Sequence, residues 1–294
     1  MEKILILSGK GGTGKTTVAA SLIEYLNTKT IADCDVDAPN LHLLLKVKNP
    51  KEKDFIGSKK AFIDVEKCVS CGLCAEKCRF DAISDINGFE IEPFACEGCG
   101  VCEVICPVGA VSLNPDVAGE LMLYSDNEKV FSTAQLNMGS GTSGMLVSEV
   151  KKQMKDEVAK DTEIAIIDGS PGIGCPVIAS LSGVDMVLIV AEPSISGISD
   201  MERIIKTAEI FKIKISVCVN KFDTNIDNTK KIEEFCIKNR LPFVGNIPFD
   251  SEAVKAINNG VTIAEVDCAS GIATKVVFLN TMNLLFNESA GKKE

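Results

Sequence analysis

A glycine-rich loop near the start of the chain is the feature that most restricts its fold. Residues 9–16 read Gly-Lys-Gly-Gly-Thr-Gly-Lys-Thr and match the phosphate-loop pattern G-x-x-x-x-G-K-[ST]. An apolar run over residues 3–8 precedes the loop, and apolar residues at helical spacing follow it over residues 15–26. Because backbone N–H groups and a helix N-terminus bind phosphate together, this strand–loop–helix context predicts a nucleotide site in a parallel α/β fold.

The same alternation of strands and helices returns in the second half of the chain. Strands separated by helices imply a parallel sheet with right-handed crossovers. We therefore predict an α/β fold, a doubly wound and mostly parallel sheet, formed by residues 1–56 and 116–294 together. The predicted strands of the second half are residues 164–168, 185–191, 213–219 and 242–247, and a last helix over 272–286 is expected to pack in the core.

Residues 57–115 interrupt this pattern and contain most of the cysteines. Eight of the thirteen cysteines lie between Cys68 and Cys106. No signal sequence is expected, so we predict a cytoplasmic protein, where metal binding explains cysteines better than disulfides do. Each group of four has the spacing C-x₂-C-x₂-C-x₃-C, and Pro107 follows only the second group, Arg79 taking that place in the first. Zinc is the alternative, but zinc sites use C-x₂₋₄-C pairs with longer gaps.

The two cysteine runs resemble the bacterial two-cluster ferredoxins. The resemblance implies a small inserted α+β domain over residues 57–115 that holds two [4Fe–4S] clusters. In such ferredoxins the fourth cysteine of each run ligates the other cluster. The expected ligands are Cys68, Cys71, Cys74 and Cys106 for cluster one, and Cys96, Cys99, Cys102 and Cys78 for cluster two.

The phosphate loop also carries an additional lysine, Lys10, ahead of the usual Lys15. The run resembles the deviant Walker A motif of the MinD/ParA/Mrp superfamily of P-loop ATPases, to which the nitrogenase iron protein is related. In that superfamily the extra lysine reaches the nucleotide of a dimer partner. The resemblance implies an ATPase that binds ATP or ADP with Mg²⁺, and the expected nucleotide-binding residues of the loop are Gly11, Gly12, Thr13, Gly14, Lys15, Thr16 and Thr17.

Further motifs follow the order found in that superfamily. Asp35 lies in a segment that resembles the first switch and is expected to position a water molecule, while Asp168 begins the second switch at the end of an apolar strand. Lys10, Lys15, Asp35 and Asp168 are thus the expected catalytic residues, and Thr16, Asp35 and Asp168 the expected Mg²⁺ site. Base contacts are expected from Asn220, Lys221, Pro248 and Asp250.

The chain is acidic, with a formal net charge of −10, and nine acids against three bases lie between Ala61 and Leu113. This charge argues against nucleic-acid binding and predicts a redox or metalloprotein partner with a basic docking face. The superfamily resemblance implies an ATP-dependent homodimer, or a heterodimer with a paralogue. No run approaches the roughly 20 apolar residues of a membrane span, and we expect no membrane association.

Several functions remain open at this point. The chain could couple ATP to electron transfer, deliver a metal cluster in the manner of Mrp-type carriers, or position other proteins as MinD does, with the ferredoxin as redox sensor or protein-binding module. Cys175, seven residues after Asp168, lies where the nitrogenase iron protein has a cluster ligand. It is either a transfer site shared across a dimer or a small buried cysteine.

Overall fold

The computed structural model of the protein describes residues 1–85, 88–126 and 128–287. In chain order its elements are β1 (Glu2–Leu7), α1 (Lys15–Leu26), β2 (Thr30–Asp33), α2 (Leu41–Leu45), β3 (Lys51–Ile63), α3 (Leu73–Lys77), β4 (Ile83–Asp85), β5 (Phe89–Ile91), α4 (Val101–Ile105), β6 (Val111–Ser125), β7 (Val130–Leu136), α5 (Ser143–Asp156), β8 (Ile164–Asp168), α6 (Cys175–Leu181), β9 (Met186–Ala191), α7 (Ile195–Ile210), β10 (Lys214–Asn220), α8 (Ile226–Lys238), β11 (Phe243–Ile247), α9 (Ser251–Asn258) and α10 (Ala269–Asn287).

Within the described chain, nine of these strands form one sheet in the order β11-β10-β9-β1-β8-β2-β7-β6-β3. The strands from β11 to β7 pair in parallel, whereas β6 runs antiparallel to β7 and to β3. Helices cover both faces of the sheet and enclose two apolar cores, one against α5, α6, α7 and α8 and the other against α1 and α10. The predicted doubly wound, mostly parallel sheet is confirmed.

The predicted elements with buried apolar faces lie close to their observed positions. Helix α1 and strand β8 begin and end where the sequence pattern placed them. The short helices α3, α4 and α9 were not predicted, and neither was the full length of β3 or β6. The sequence also predicts a turn at Asp126-Asn127, of which Asn127 lies outside the described residues.

Strands β3 and β6 form a long antiparallel ribbon that was not foreseen. Gly119 of β6 pairs with Leu136, the last residue of β7, so residues 111–118 extend past the carboxyl edge of the parallel strands. The ribbon continues to the pair Ile63–Val111. The predicted boundaries at 57 and 115 therefore lie inside continuous strands, because the backbone of the sheet edge itself leads into the cysteine-rich segment.

The cysteine-rich segment has an apolar cluster of its own at the end of the ribbon. Ala61, Ile63 and Val111 of the ribbon pack there with Ala82 and with six of the eight cysteines. The two-stranded sheet β4-β5 and the short helices α3 and α4 complete this unit. The unit is thus carried beyond the carboxyl edge of the main sheet, which is the edge where α/β proteins bind ligands.

Helix α10 closes the core beside β11 and α1, as expected of the last helix. Val277 and Leu285 are buried on its inner side, and Tyr25 of α1 donates a hydrogen bond to the carbonyl of Gly271. Within the described residues it is the one helix whose length and apolar composition also suit a membrane span. A helix of a soluble core meets the same criteria, and its inner side is packed here.

Candidate functional site

The phosphate loop connects β1 to α1 at the carboxyl edge of the sheet. Gly12 and Gly14 adopt left-handed φ angles of 79° and 91°, which side chains other than glycine rarely tolerate. Thr13 is buried, and its hydroxyl has no hydrogen-bond partner among the described residues. A buried polar atom without a partner is costly, so this loop is suited to receive acceptor oxygens such as those of a phosphate.

The structure brings three predicted catalytic side chains together at the start of α1. The Lys15 ammonium lies 2.6 Å from Oδ1 of Asp168, and the Thr16 hydroxyl donates to Oδ2 of the same carboxylate at 2.6 Å. Asp35 is also near, with 3.8 Å between its Oδ2 and Lys15 Nζ. Burial opposes the charge of Lys15, but Asp168, Asp33 and Asp35 outweigh it and raise its pKa.

Asp33 is a buried acid of this site that the sequence analysis did not single out. It pairs with Asp168 across β2 and β8, and its carboxylate accepts the N–H groups of Asp35 and Leu41 at 3.0 and 3.1 Å. Burial, with the neighbouring Asp168, raises the Asp33 pKa to about 7, and burial raises the Asp35 pKa to about 6. One signal could have identified Asp33: like Asp168, it ends an apolar strand at the carboxyl edge.

These groups fit a magnesium ion bound with a nucleotide. Mg²⁺ prefers oxygen ligands and is usually held by one or two carboxylates together with phosphates. The Thr16 hydroxyl and the carboxylates of Asp35 and Asp168 supply such oxygens beside a phosphate loop. When bound, the ion neutralises phosphate charge. Lys15 would then exchange part of its contact with Asp168 for phosphate oxygens.

Lys10 does not join this group within its own chain. Its ammonium lies 3.0 Å from Glu192 Oε2 and donates to the hydroxyl of Ser194 at 3.2 Å. Both partners lie after β9, at the same edge of the sheet. The side chain is about one third exposed, so it is held to a neighbouring loop and remains accessible from outside the protein.

A cleft of about 600 Å³ extends from the phosphate loop toward β11 and α9. Its volume is within the range of small-molecule sites. Asn220 and Lys221 hold the loop from this side: the Asn220 amide donates to the carbonyl of Thr13 at 2.7 Å, and the Lys221 ammonium donates to that of Gly12 at 2.8 Å. The predicted residues Gly11, Thr17, Pro248 and Asp250 also line the cleft.

The end of the cleft away from the phosphate loop is apolar, and Asp250 has a different role there from the predicted base contact. Both carboxylate oxygens of Asp250 accept backbone N–H groups, from Glu252 at 2.9 Å and Ser270 at 3.1 Å, and these bonds lower its pKa. Asp250 therefore joins the starts of α9 and α10. The sequence analysis missed Phe249, a half-exposed aromatic ring that lines the cleft beside Val254 and can cover a base.

The two cysteine runs share one backbone conformation. Residues two and four after the first cysteine have positive φ in both runs, which are Ser70 and Gly72 in one and Gly98 and Gly100 in the other. The fourth cysteines also agree, with φ/ψ of −71°/118° at Cys78 and −68°/113° at Cys106. Arg79, which replaces the expected proline, therefore leaves the local backbone unchanged.

The eight cysteines line two separate small cavities in the crossed pattern implied by the ferredoxin resemblance. One cavity, of about 20 Å³, is lined by Cys68, Cys71, Cys74 and Cys106. The other, also of about 20 Å³, is lined by Cys96, Cys99, Cys102 and Cys78. Ala61 and Leu113 of the ribbon line the second cavity, while Ile63 and Val111, one step further out, line the first. The second cavity is thus the one nearer the main sheet.

The surroundings of the sulfur atoms differ, since backbone donors favour the thiolate at some cysteines and burial opposes it at others. The N–H of Ala61 donates to Cys96 Sγ at 3.4 Å and that of Ala110 to Cys106 Sγ at 3.2 Å, and backbone donors, Val108 foremost, lower the pKa of Cys106. Burial raises the pKa of Cys74 and Cys102. No three acidic, histidine or cysteine side chains of the described residues converge on a single metal ion. Each cavity does present four cysteines, which is the number of thiolates that a [4Fe–4S] cluster requires.

Cys175 is exposed and is the first residue of α6, close to the expected helix start at Pro176. A Cβ atom added to Gly144 of α5 would lie 3.2 Å from the Cβ of Cys175. The alternative of a small buried cysteine is therefore wrong at this position, whereas Cys34, Cys218 and Cys236 are buried. No second thiol of the described residues accompanies Cys175 in a metal-binding group.

Comparison with known proteins agrees with this geometry. The profile of the CobQ/CobB/MinD/ParA nucleotide-binding domain matches residues 4–263. An uncharacterized protein of Methanocaldococcus jannaschii is 34% identical over 90% of each chain. An iron–sulfur cluster carrier protein of Pyrococcus abyssi is 25% identical over 89% of this chain and 78% of its own length. The cell division ATPase MinD of Pyrococcus furiosus superposes with a TM-score of 0.58 at 17% identity, over 96% of this chain and 99% of that one.

Proposed function

Since the chain belongs to the CobQ/CobB/MinD/ParA family of P-loop nucleotide-binding proteins, we propose that it is an iron–sulfur ATPase that couples a nucleotide-driven dimer switch to electron transfer or to cluster assembly on a partner metalloprotein. The observation that carries this proposal is the pair of four-cysteine cavities. They would hold two [4Fe–4S] clusters, which when bound supply one-electron redox chemistry.

The position of the cysteine-rich unit supports coupling to the nucleotide. Its segment 92–98 contacts the loop over residues 137–142, since a Cβ on Gly139 would lie 2.6 Å from the ring of Phe94. That loop leads into α5, which packs against α6 just after the second switch. Packed segments therefore connect Asp168 by a short path to the cysteine cavity that lies nearer the main sheet.

The dimer half of the proposal rests on Lys10. Proteins of this family dimerise with ATP and bind partners, and the MinC:MinD complex of Aquifex aeolicus is one such assembly among the similar structures. Lys10 is accessible at the carboxyl edge and is held by a partly exposed ion pair with Glu192 and a hydrogen bond to Ser194. We propose that it leaves Glu192 to contact the nucleotide of a second copy, or of a paralogue. The acidic cysteine-rich unit would then meet a partner with a basic surface.

Cluster delivery and electron transfer are two forms of this function, and the name of the Pyrococcus abyssi relative favours the first. The competing function is spatial positioning of other proteins, as suggested by the likeness to MinD and by the partly exposed apolar side of α10. In that case the cysteine-rich unit would sense redox state or bind proteins, and nucleotide would not alter its clusters.

One experiment separates these functions. Anaerobically purified protein is first reduced with dithionite, freed of the excess and given Mg-ATP or a non-hydrolysable analogue. Two rates are then measured: electron transfer from the reduced protein to a soluble one-electron acceptor, and loss of iron to an apo-ferredoxin. A nucleotide effect on either rate that disappears in Lys15→Ala supports the proposal and identifies its form. If the protein contains zinc, or if both rates ignore nucleotide, the proposal fails and positioning becomes the better account.

A further inference from the structure

Three consecutive residues of β3 hold the start of the second cysteine run. The carbonyl of Lys59 lies against Gly98, since a Cβ atom added to that glycine would collide with its oxygen. The Lys60 ammonium donates a hydrogen bond to the carbonyl of Cys96 at 2.6 Å, and the N–H of Ala61 donates to Cys96 Sγ at 3.4 Å. The position of Lys60 beside this run is therefore fixed on both sides by its neighbours in the strand.

Lys60 brings an unneutralised positive charge to this place. Its side chain is half-buried, and no carboxylate in the part of the chain that the structure describes forms a salt bridge with it. Cys96, whose carbonyl it contacts, is buried and lines the second cavity. A charge held beside a buried group acts on it more strongly than a charge surrounded by water, because the effective dielectric constant is lower.

The lysine at the start of the first run is neutralised instead. Lys67 directly precedes Cys68, and its ammonium lies 2.8 Å from the carboxylate of Asp64. Both side chains of this pair are in contact with solvent, which screens what remains of their field. Since the two runs share one backbone conformation, the unpaired charge of Lys60 distinguishes two cavities that are otherwise built alike.

We propose that Lys60 raises the reduction potential of the [4Fe–4S] cluster bound in the second cavity. Uptake of one electron makes such a cluster more negative by one unit of charge. A fixed positive charge nearby therefore stabilises the reduced form more than the oxidised form. Net charge and hydrogen bonding around the cluster are among the properties that set these potentials. Lys60 contacts the peptide of a cysteine and no sulfur atom, so it is a positioning residue and not a ligand.

The inference rests on the proposed iron–sulfur function and concerns where an electron is held within the cysteine-rich unit. The second cavity is lined by Ala61 and Leu113 and is the one nearer the main sheet. Lys60 therefore favours an electron on the side of the unit that faces the nucleotide-binding part of the protein. Neutralising this lysine should shift the balance toward the first cavity.

The test is a redox titration of the anaerobic full chain with dithionite, followed by electron paramagnetic resonance. Lys60→Gln keeps an N–H donor for the carbonyl of Cys96 but removes the charge. It should lower one of the two midpoint potentials by about 59 mV, the value of one tenfold change in a one-electron equilibrium, and leave the other unchanged. Lys60→Arg keeps the charge and should restore the wild-type value. Lys59→Gln is the matched control, because this neighbouring side chain is exposed and should leave both potentials unchanged.

Single-cluster variants assign the shift to a cavity. Lys60→Gln should have its effect in the background of Cys106→Ala, which leaves the second cavity complete, and none in that of Cys78→Ala, which leaves the first complete.

The inference is overturned if Lys60→Gln moves neither potential, moves both equally, or acts no more than Lys59→Gln does. Loss of iron in Lys60→Gln also overturns it, because Lys60 would then anchor the run and not tune it. In these cases the proposed function stands. If the wild type binds no iron, both fail. If one potential shifts as expected but nucleotide alters neither rate of the earlier experiment, the role of Lys60 stands and the proposed coupling fails.

Discussion

Lys10, which lines the nucleotide cleft, forms an ion pair with Glu192, with 3.0 Å between Nζ and Oε2. Both side chains are partly exposed, at 35% and 25%, and exposed pairs of this kind contribute about 0.2–1 kcal/mol. The pair is therefore strong enough to hold Lys10 in place in a single chain and weak enough to be exchanged for a phosphate.

This pair predicts opposite effects for its two members. Lys10→Ala should abolish the increase in mass that ATP causes in light scattering, because the cross-subunit phosphate contact is lost. Glu192→Gln should shift the same transition to lower ATP concentration by about two- to fivefold, because the competing partner of Lys10 is weakened. A nucleotide-dependent dimer that forms equally well in Lys10→Ala would contradict this role.

Lys15 should be essential for hydrolysis. Its ammonium is buried among three carboxylates in the site and is the nearest cation to Asp168. Lys15→Ala should lower the rate of phosphate release by about 10²–10³, as loss of a preorganised charge does. Lys206→Ala, on the exposed side of α7, is the control and should hydrolyse normally. Hydrolysis by Lys15→Ala at the native rate would show that the loop is misassigned.

Each cavity is lined by three cysteines of one run and the fourth cysteine of the other. This arrangement predicts which pairs of substitutions remove the same cluster and which remove both. Anaerobic wild-type protein should contain about eight irons per chain, and Cys106→Ala about four. Adding Cys68→Ala to Cys106→Ala should remove no more iron, because both line the same cavity. Adding Cys96→Ala instead should empty both sites. Iron analysis with electron paramagnetic resonance measures this, and the reverse result would mean that each run holds its own cluster.

Lys151 should stabilise the end of α6. Its ammonium donates to the carbonyls of Ala179 at 3.0 Å, Ser180 at 2.6 Å and Ser182. Burial lowers its pKa to about 8, while the three carbonyls favour its charged form. Lys151→Met leaves these acceptors unsatisfied and should lower the free energy of unfolding by about 1–3 kcal/mol.

The adjacent Lys152 provides the control for that measurement. It lies on the same helix, is 65% exposed and only approaches Glu149 at 3.9 Å. Lys152→Met should therefore change stability by less than about 0.5 kcal/mol. Equal denaturation midpoints for the two variants would show that the carbonyls at the end of α6 find other partners.

The sequence by itself determined the parts of this protein that depend on local pattern. The phosphate loop could be placed between β1 and α1 because an apolar run, a glycine-rich run and apolar residues at helical spacing follow one another in the sequence. The two cysteine sets were implied by the resemblance of their spacing to two-cluster ferredoxins, and Asp35 and Asp168 by the order of the superfamily's motifs.

Only the tertiary structure decided what depends on contacts between distant segments. The β3–β6 ribbon was missed because most residues of β3 are exposed, so no apolar alternation marks the strand, and because its pairing partners are about 50 to 70 residues away in the sequence. That ribbon fixes which cysteine cavity lies nearer the nucleotide. Long-range contacts also join Lys10 to Glu192 and tie Asp250 to the start of α10, and the packing of α6 leaves Cys175 exposed. The sequence pattern of a segment reflects which residues are buried and which backbone conformation they prefer. The residue that a given side chain contacts is instead set by the packing of distant segments.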